Sequence, residues 1–240
     1  MAYRLNPNTL DFPPVQFSDE DGLLAVGGDL STERIKKAYK NGIFPWYSEY
    51  SPILWWSPNP RFVILPQNFK FAKSLRPILR KQKFRVTLNQ AFENVIQHCK
   101  VMNRPNQHGT WITPEMQQAF IDLHYEGFAH SVEVWNEDKL VGGLYGEIVG
   151  TCFFGESMFA LESDASKVGF VVLVKNLLAN GFEMIDCQVF TEHLARFGAD
   201  MIPRKEFIER LEKGKEKLFD KESFEKNFTD SPDFILQFKP

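Results

Sequence analysis

Cysteine is scarce in this chain. Cys99, Cys152 and Cys187 are the only three, widely spaced and without a CxxC pair. A disulfide framework or a structural zinc site needs more sulfur at closer spacing, so the composition suits a reducing compartment. Histidine is equally thin: His98, His108, His124, His130 and His193 show no ligand spacing, which argues against a metal hydrolase. No apolar run approaches the roughly 20 residues that span a bilayer. The opening MAYRLNPNTLDFPP also lacks the apolar stretch of a secretion signal. A cytoplasmic protein with no membrane role is the expectation.

The most telling absence is local. From Tyr50 to Phe92 there is no Asp or Glu, while Lys70, Lys73, Arg76, Arg80, Lys81, Lys83 and Arg85 crowd together. The formal net charge is −3, which by itself predicts no nucleic-acid partner. A basic cluster on a mildly acidic protein is nevertheless a footprint for phosphates, with a solvated helix face as the plainer alternative. Phe is abundant, with 23 residues; most belong in a core and the surplus suits an apolar pocket.

At 240 residues the chain holds one large domain or two smaller ones. Ser31 or Thr32 caps a helix that runs to Lys40 and stops at Asn41-Gly42. PILWWSPNPRFVIL supplies short strands around Pro58 and Pro60, and this N-terminal unit is expected over residues 1–65. The Gly27-Gly28 pair is a turn, since no Lys-Ser/Thr follows it. A second unit follows over 66–212. It has a basic helix from Phe69 to Leu79, a strand in KFRVTLN, and a helix in QAFENVIQHCKV. MNRPNQHG then reads as a polar loop, and Thr113 or Pro114 opens the next helix. AHSVEVWN, DKLVGGLYGEIV and TCFFGESMF read as a three-stranded meander with alternating apolar positions. A helix capped by Ser163 or Asp164 then leads into the strand FEMIDCQVF and the helix TEHLARFGA. Residues 213–240 are charged and poorly periodic, and are expected to dock loosely.

A meander followed by strand–helix–strand predicts an α+β fold: a mixed sheet with helices on its faces. In such sheets the cleft opens where neighbouring strands part, at their carboxyl ends. Asp186 and Gln188 sit two apart in a strand and so share a face, with Cys187 on the opposite one as a small core residue. TCFFGESMF should neighbour that strand and bring Glu156 toward the pair. A charge and an amide in an apolar setting need partners or a task. A structural polar network at a strand end is the plainer reading.

GLLAVGGDLS, GIFPWYSEYSPILWWSPNPRFVI, GTWIT, AHSVEVW, LVGGLYG, FFGESMF, DASK, IDCQ and HLARFGA occur in that order. Their ordered conjunction resembles the leucyl/phenylalanyl-tRNA–protein transferases over residues 10 to 210. The resemblance implies a small N-terminal domain and a larger domain like the GNAT acyltransferases. It implies a bacterial, cytoplasmic leucyltransferase that moves Leu or Phe, with Met a third candidate, from charged tRNA. The acceptor is the α-amine of proteins beginning with Arg or Lys, which are thereby tagged for N-end-rule degradation. No ATP, metal or coenzyme is implied, and a monomer is expected. By resemblance Asp186, Gln188 and Glu156 are catalytic, with Asp186 polarising Gln188. An amide is a very poor base, so Asp186 holding the amine and taking its proton is physically easier. Glu156 would bind the acceptor side chain or orient the donor.

The donor slot implied by resemblance is made of Leu144, Phe153, Met158, Phe170, Leu173 and Ile185. Leu144 and Phe170 depart from the family's usual Met and smaller aliphatic, which points to a remodelled pocket. Trp46 and Trp111 match aromatics near the 3′ adenosine, where base stacking is worth roughly 1–3 kcal/mol. Lys73, Arg76, Arg80 and Lys83 would hold the acceptor stem. Two rivals fare worse. An acetyl-CoA enzyme needs a glycine-rich turn for the pyrophosphate, whereas SMFALESDASKVG carries acids and no glycine cluster. A non-catalytic RNA-binding module explains the basic helix but gives no reason for Glu156, Asp186 and Gln188 to meet.

Overall fold

The computed structural model describes residues 2–102 and 110–237, so His108 and most of the MNRPNQHG loop lie outside the described residues. Two sheets organise the chain. The smaller has four strands in the order β1-β2-β4-β3, built from β1 (Tyr3–Arg4), β2 (Leu23–Val26), β3 (Phe44–Pro45) and β4 (Leu54–Trp56). The larger has seven strands in the order β11-β5-β10-β9-β8-β7-β6. They are β5 (Arg61–Ile64), β6 (Arg85–Leu88), β7 (Ala129–Asn136), β8 (Lys139–Val149), β9 (Cys152–Ala160), β10 (Met184–Gln188) and β11 (Asp200–Ile202). Within this sheet, among the described residues, β9 and β10 run parallel and the other pairings are antiparallel. The mixed sheet flanked by helices is the α+β arrangement expected from the meander.

The helices are α1 (Thr32–Lys40), α2 (Leu75–Arg80), α3 (Phe92–Val101), α4 (Pro114–Tyr125), α5 (Ala165–Ala179), α6 (Glu192–Ala195), α7 (Arg204–Glu216), α8 (Lys221–Asn227) and α9 (Pro232–Gln237). Local chemistry explains several. Ser31 stands at the N-cap position of α1 with its hydroxyl donating to Asp29 and not capping the helix, while the Thr113 hydroxyl accepts from the Met116 amide at the start of α4. Tyr39, Phe44 and Trp55 of the smaller sheet's layer pack with α3, α4 and α7 on one face of the large sheet, around Tyr145, Phe154 and Met184. On the other face α5, apolar nearly all round, packs on Leu144, Phe153 and Ile185. None of the described helices is long and apolar enough to cross a membrane.

Three features differ from expectation. The break between the sheets falls before β5, not at residue 65, because Phe62, Val63 and Ile64 pair with β10. The basic helix spans only Leu75–Arg80, leaving Lys73 ahead of it, since only Leu75 and Leu79 are buried to anchor it. The charged tail is docked: Phe224 and Ile235 are buried, and Asp230 accepts from the Val86 amide while Asn176 brackets Thr229. Apolar anchors at wide spacing hold α8 and α9 although no regular period shows in the sequence.

Candidate active site

β9 and β10 stay in register from Met184↔Cys152 to Asp186↔Phe154 and then part. A pocket of about 410 Å³ opens there, within the range of small-ligand sites. It is lined by the apolar Leu144, Phe153, Met158, Phe170 and Ile185 and by Trp46 and Trp111. Glu156, Asp186 and Gln188 complete it. Of the expected slot residues Leu173 alone does not line it. It is buried in the core against α5's own neighbours, because α5 offers apolar residues on every side.

Two backbone irregularities aim the polar groups. β8 and β9 pair Tyr145 with Ser157 but Gly146 with Gly155, so Glu156 is the extra residue of a β-bulge. The strands approach so closely there that a Cβ on Gly146 would sit 2.0 Å from the Phe154 carbonyl oxygen. β10 is irregular between Asp186 and Gln188, and Gln188 is left-handed with φ 63°. That turn sends the Gln188 side chain to Glu156, where its Nε2 donates to Oε1 at 2.5 Å. Glu156 and Gln188 therefore meet as expected.

Asp186 stands differently from the expectation. It is 0% exposed and faces an equally buried guanidinium, that of Arg61 on β5. Arg61 Nη2 donates to Oδ2 at 2.6 Å and Nε to Oδ1 at 2.9 Å, and the Gln188 backbone N–H donates to Oδ1 at 2.9 Å. Asp186 thus meets Gln188 through its backbone N–H and not through its side-chain amide. Its charge is already matched, and breaking a buried ion pair to bind another cation is costly. Phe44 and Phe207 cover the guanidinium at 4.7 and 4.5 Å. Cys187 lies on the Ile185 side of the strand, where it too borders the pocket and burial pushes its thiol well up.

Glu156 is the pocket carboxyl without an ion pair among the described residues. Burial pushes it up to about 7, against the pull of the Gln188 hydrogen bond and of the neighbouring Tyr39 and Glu147, and nearby Asp186 raises it further. A carboxyl poised there can take a proton near neutral pH. Arg61, Tyr39 and Glu147 were not singled out from the sequence. The signal existed in two of them, an Arg in PRFVI and a Glu in LYGEIV, each a charge inside a buried strand.

Trp46 is 43% exposed, and the Trp56 indole donates to its carbonyl at 2.6 Å. Trp111 is buried edge-on to Phe120. The basic residues lie elsewhere. Lys73, Arg76, Arg80 and Lys83 are all exposed around α2. Lys83 is paired with Glu162 at 3.2 Å, and the Arg76 guanidinium lies 5.7 Å from the Phe71 ring centre.

The family model described as leucyl/phenylalanyl-tRNA protein transferase matches residues 63–212, and that of its N-terminal domain matches residues 28–59. A protein of Syntrophus aciditrophicus (strain SB), named leucyl/phenylalanyl-tRNA–protein transferase, is 55% identical over 202 residues, 84% of each chain. A protein of the same name from Christiangramia forsetii is 54% identical over 211 residues, 87% of this chain and 99% of that one. Among solved structures, a GCN5-related N-acetyltransferase-like protein from Streptococcus suis 89/1591 aligns at 12% identity. It covers 71% of this chain and 64% of the other with a TM-score of 0.30, too low to carry weight.

Proposed function

Because the chain belongs to the leucyl/phenylalanyl-tRNA protein transferase family, we propose that its pocket passes Leu or Phe from charged tRNA to the α-amine of proteins beginning with Arg or Lys. One observation carries this reading: an apolar slot that ends at Glu156 and Gln188, where two parallel strands part. An apolar floor suits the donor side chain, and a proton acceptor at its mouth suits an amine nucleophile. The work is done in the cytoplasm by a monomer and marks acceptors for N-end-rule degradation.

The tRNA ester already stores the energy of the new bond, so positioning is the main task, worth several kcal/mol through effective concentration. Trp46 and Trp111 stack the terminal adenosine and leave the Leu or Phe side chain over Phe153, Phe170 and Ile185. An α-amine has a reference pKa of about 7.7–8.0 and arrives largely protonated. Glu156 takes its proton, and Gln188 fixes the carboxyl that receives it. The free amine attacks the ester carbonyl, the carbon–oxygen bond breaks, and the ribose oxygen leaves with the second proton. Asp186 acts indirectly, tying the Gln188 turn to Arg61.

Purified protein, radiolabelled Phe-tRNA and a peptide with an N-terminal Arg test the reading. Label should enter the peptide, while acetyl-CoA with the same peptide gives nothing. Transfer to peptides regardless of their first residue would overturn the acceptor assignment. Acetylation in place of aminoacylation would overturn the donor.

A further inference from the structure

Glu147 is a buried acid to which the pocket chemistry assigns nothing. It is 0% exposed on β8, on the face of Tyr145 and Val149, in register with Phe154 of β9. Both its carboxyl oxygens are sealed from solvent without a conventional hydrogen-bond partner, and the group that faces them is the carboxyl of Glu156. Tyr39 of α1 closes the cluster, its ring edge-on to Phe154 at 5.3 Å and its hydroxyl toward both acids.

Two carboxyl groups in contact cannot both carry charge without a cation. Among the described residues, the titratable groups facing this pair are Tyr39 from α1 and Asp186 from β10, with Tyr145 of β8 facing Tyr39. The nearby cation, Arg61 from β5, is engaged by Asp186. One proton between the two glutamates resolves both problems. It supplies the missing donor and leaves a single negative charge, held by a charge-assisted O–H···O bond.

We propose that Glu147 is a positioning residue that stays protonated and donates its hydrogen bond to Glu156, holding that carboxylate toward Gln188 and the incoming amine. The inference rests on Glu156 receiving the amine's proton, as proposed above. The acceptor ammonium gives a proton to Glu156, its freed electron pair forms the C–N bond, and the ester C–O bond breaks. The ribose oxygen carries away the amine's second proton, and Glu156 releases its own to solvent. Glu147 keeps its proton throughout. Burial holds Glu147 well above the carboxylate range and Glu156 at about 7, as expected of a pair that titrates in two steps.

The experiment has two parts. Infrared spectra of substrate-free protein at pH 8 should show a protonated carboxyl band that shifts in D2O and vanishes in Glu147→Gln. This readout needs no transfer, so it supports the pair even where the aminoacylation assay fails. The second part is the pH profile of kcat. Removing the donor in Glu147→Leu makes Glu156 harder to ionise. The acid limb should then move up by about one pH unit, about tenfold in rate on its acid side. In Glu147→Gln the amide N–H replaces the donor and the limb should stay in place. A missing band, or a band that survives Glu147→Gln, overturns the proposal, as do limbs that move equally in both variants or in neither. If Glu147→Leu does not fold, the band in wild type and Glu147→Gln decides alone.

Discussion

Asp186 and Glu156 stand on neighbouring parallel strands at the end where those strands part, yet their surroundings differ in kind. Asp186 keeps its charge in the dry interior because Arg61 supplies an opposite charge in a fixed bidentate geometry. Glu156 has no such cation among the described residues, and its neighbours are Tyr39, Glu147, Gln188 and Asp186 itself. The first arrangement matches a buried charge with its opposite, and the second leaves a carboxyl that burial raises to about 7. In the mechanism proposed above the catalytic burden falls on the acid that has no cation, and the ion-paired acid holds the frame in which it works.

This comparison breaks first at Asp186. Asp186→Ala should leave the Arg61 guanidinium buried and uncompensated, at a cost of about 3–5 kcal/mol, read from denaturant unfolding. Turnover should fall with it, because the Gln188 turn loses its acceptor. A variant as stable as wild type would mean that Arg61 finds another partner or water. The matching change on the other acid, Glu156→Gln, keeps shape and should leave the unfolding midpoint nearly unmoved. Steady-state transfer should instead drop by about 10²–10⁴-fold, the usual reach of a general base. If both variants lost stability alike, the division between frame and proton acceptor would be wrong.

Much of this was legible beforehand because short-range chemistry decides it. The N-cap position of α1, the cap of α4 and the alternation in β7, β8 and β9 are local signals, and so are the glycine stops. The meeting of Glu156 with Gln188 also followed, since strands on either side of one helix become parallel neighbours. What escaped is long-range or aperiodic. The partner of Asp186 lies 125 residues away on β5, and nothing near IDCQ announces it. The bulge at Glu156 depends on how β8 and β9 slip past each other. Leu173 was misplaced because α5 is apolar on nearly every side, so its sequence does not say which residues face the pocket. α7 could have been read, for its buried Phe207, Leu211 and Gly214 recur at helical spacing.

A third test moves from the pocket's mouth to its floor. Phe170 lines the slot and packs edge-on against Phe197 at 4.9 Å. Phe170→Leu should enlarge the slot and raise use of Phe over Leu by about 10–200-fold, measured with the two charged tRNAs in competition. The acid limb of the kcat profile should not move, since no polar group is touched. An unchanged donor ratio in a folded protein would take Phe170 out of the contact with substrate.

The smallest effect lies farthest from both acids. Lys73 and Arg80 are exposed and make no ion pair among the described residues, unlike Lys83, which is tied to Glu162. Exposed charges on duplex phosphate act by releasing counterions, so their contribution is visible as salt dependence. Replacing both with Gln should flatten the log–log slope of tRNA binding by about 0.9 per lost contact. Affinity should change modestly at high salt, where these contacts are already screened. A short aminoacyl-adenosine donor has no stem, so its kcat and its pH profile should stay at wild-type values. That outcome would separate the basic surface, which captures the donor, from the carboxyl pair, which handles the proton. Equal losses with the short donor would instead show that α2 supports the fold of the pocket, which its Leu75 and Leu79 anchors make physically reasonable.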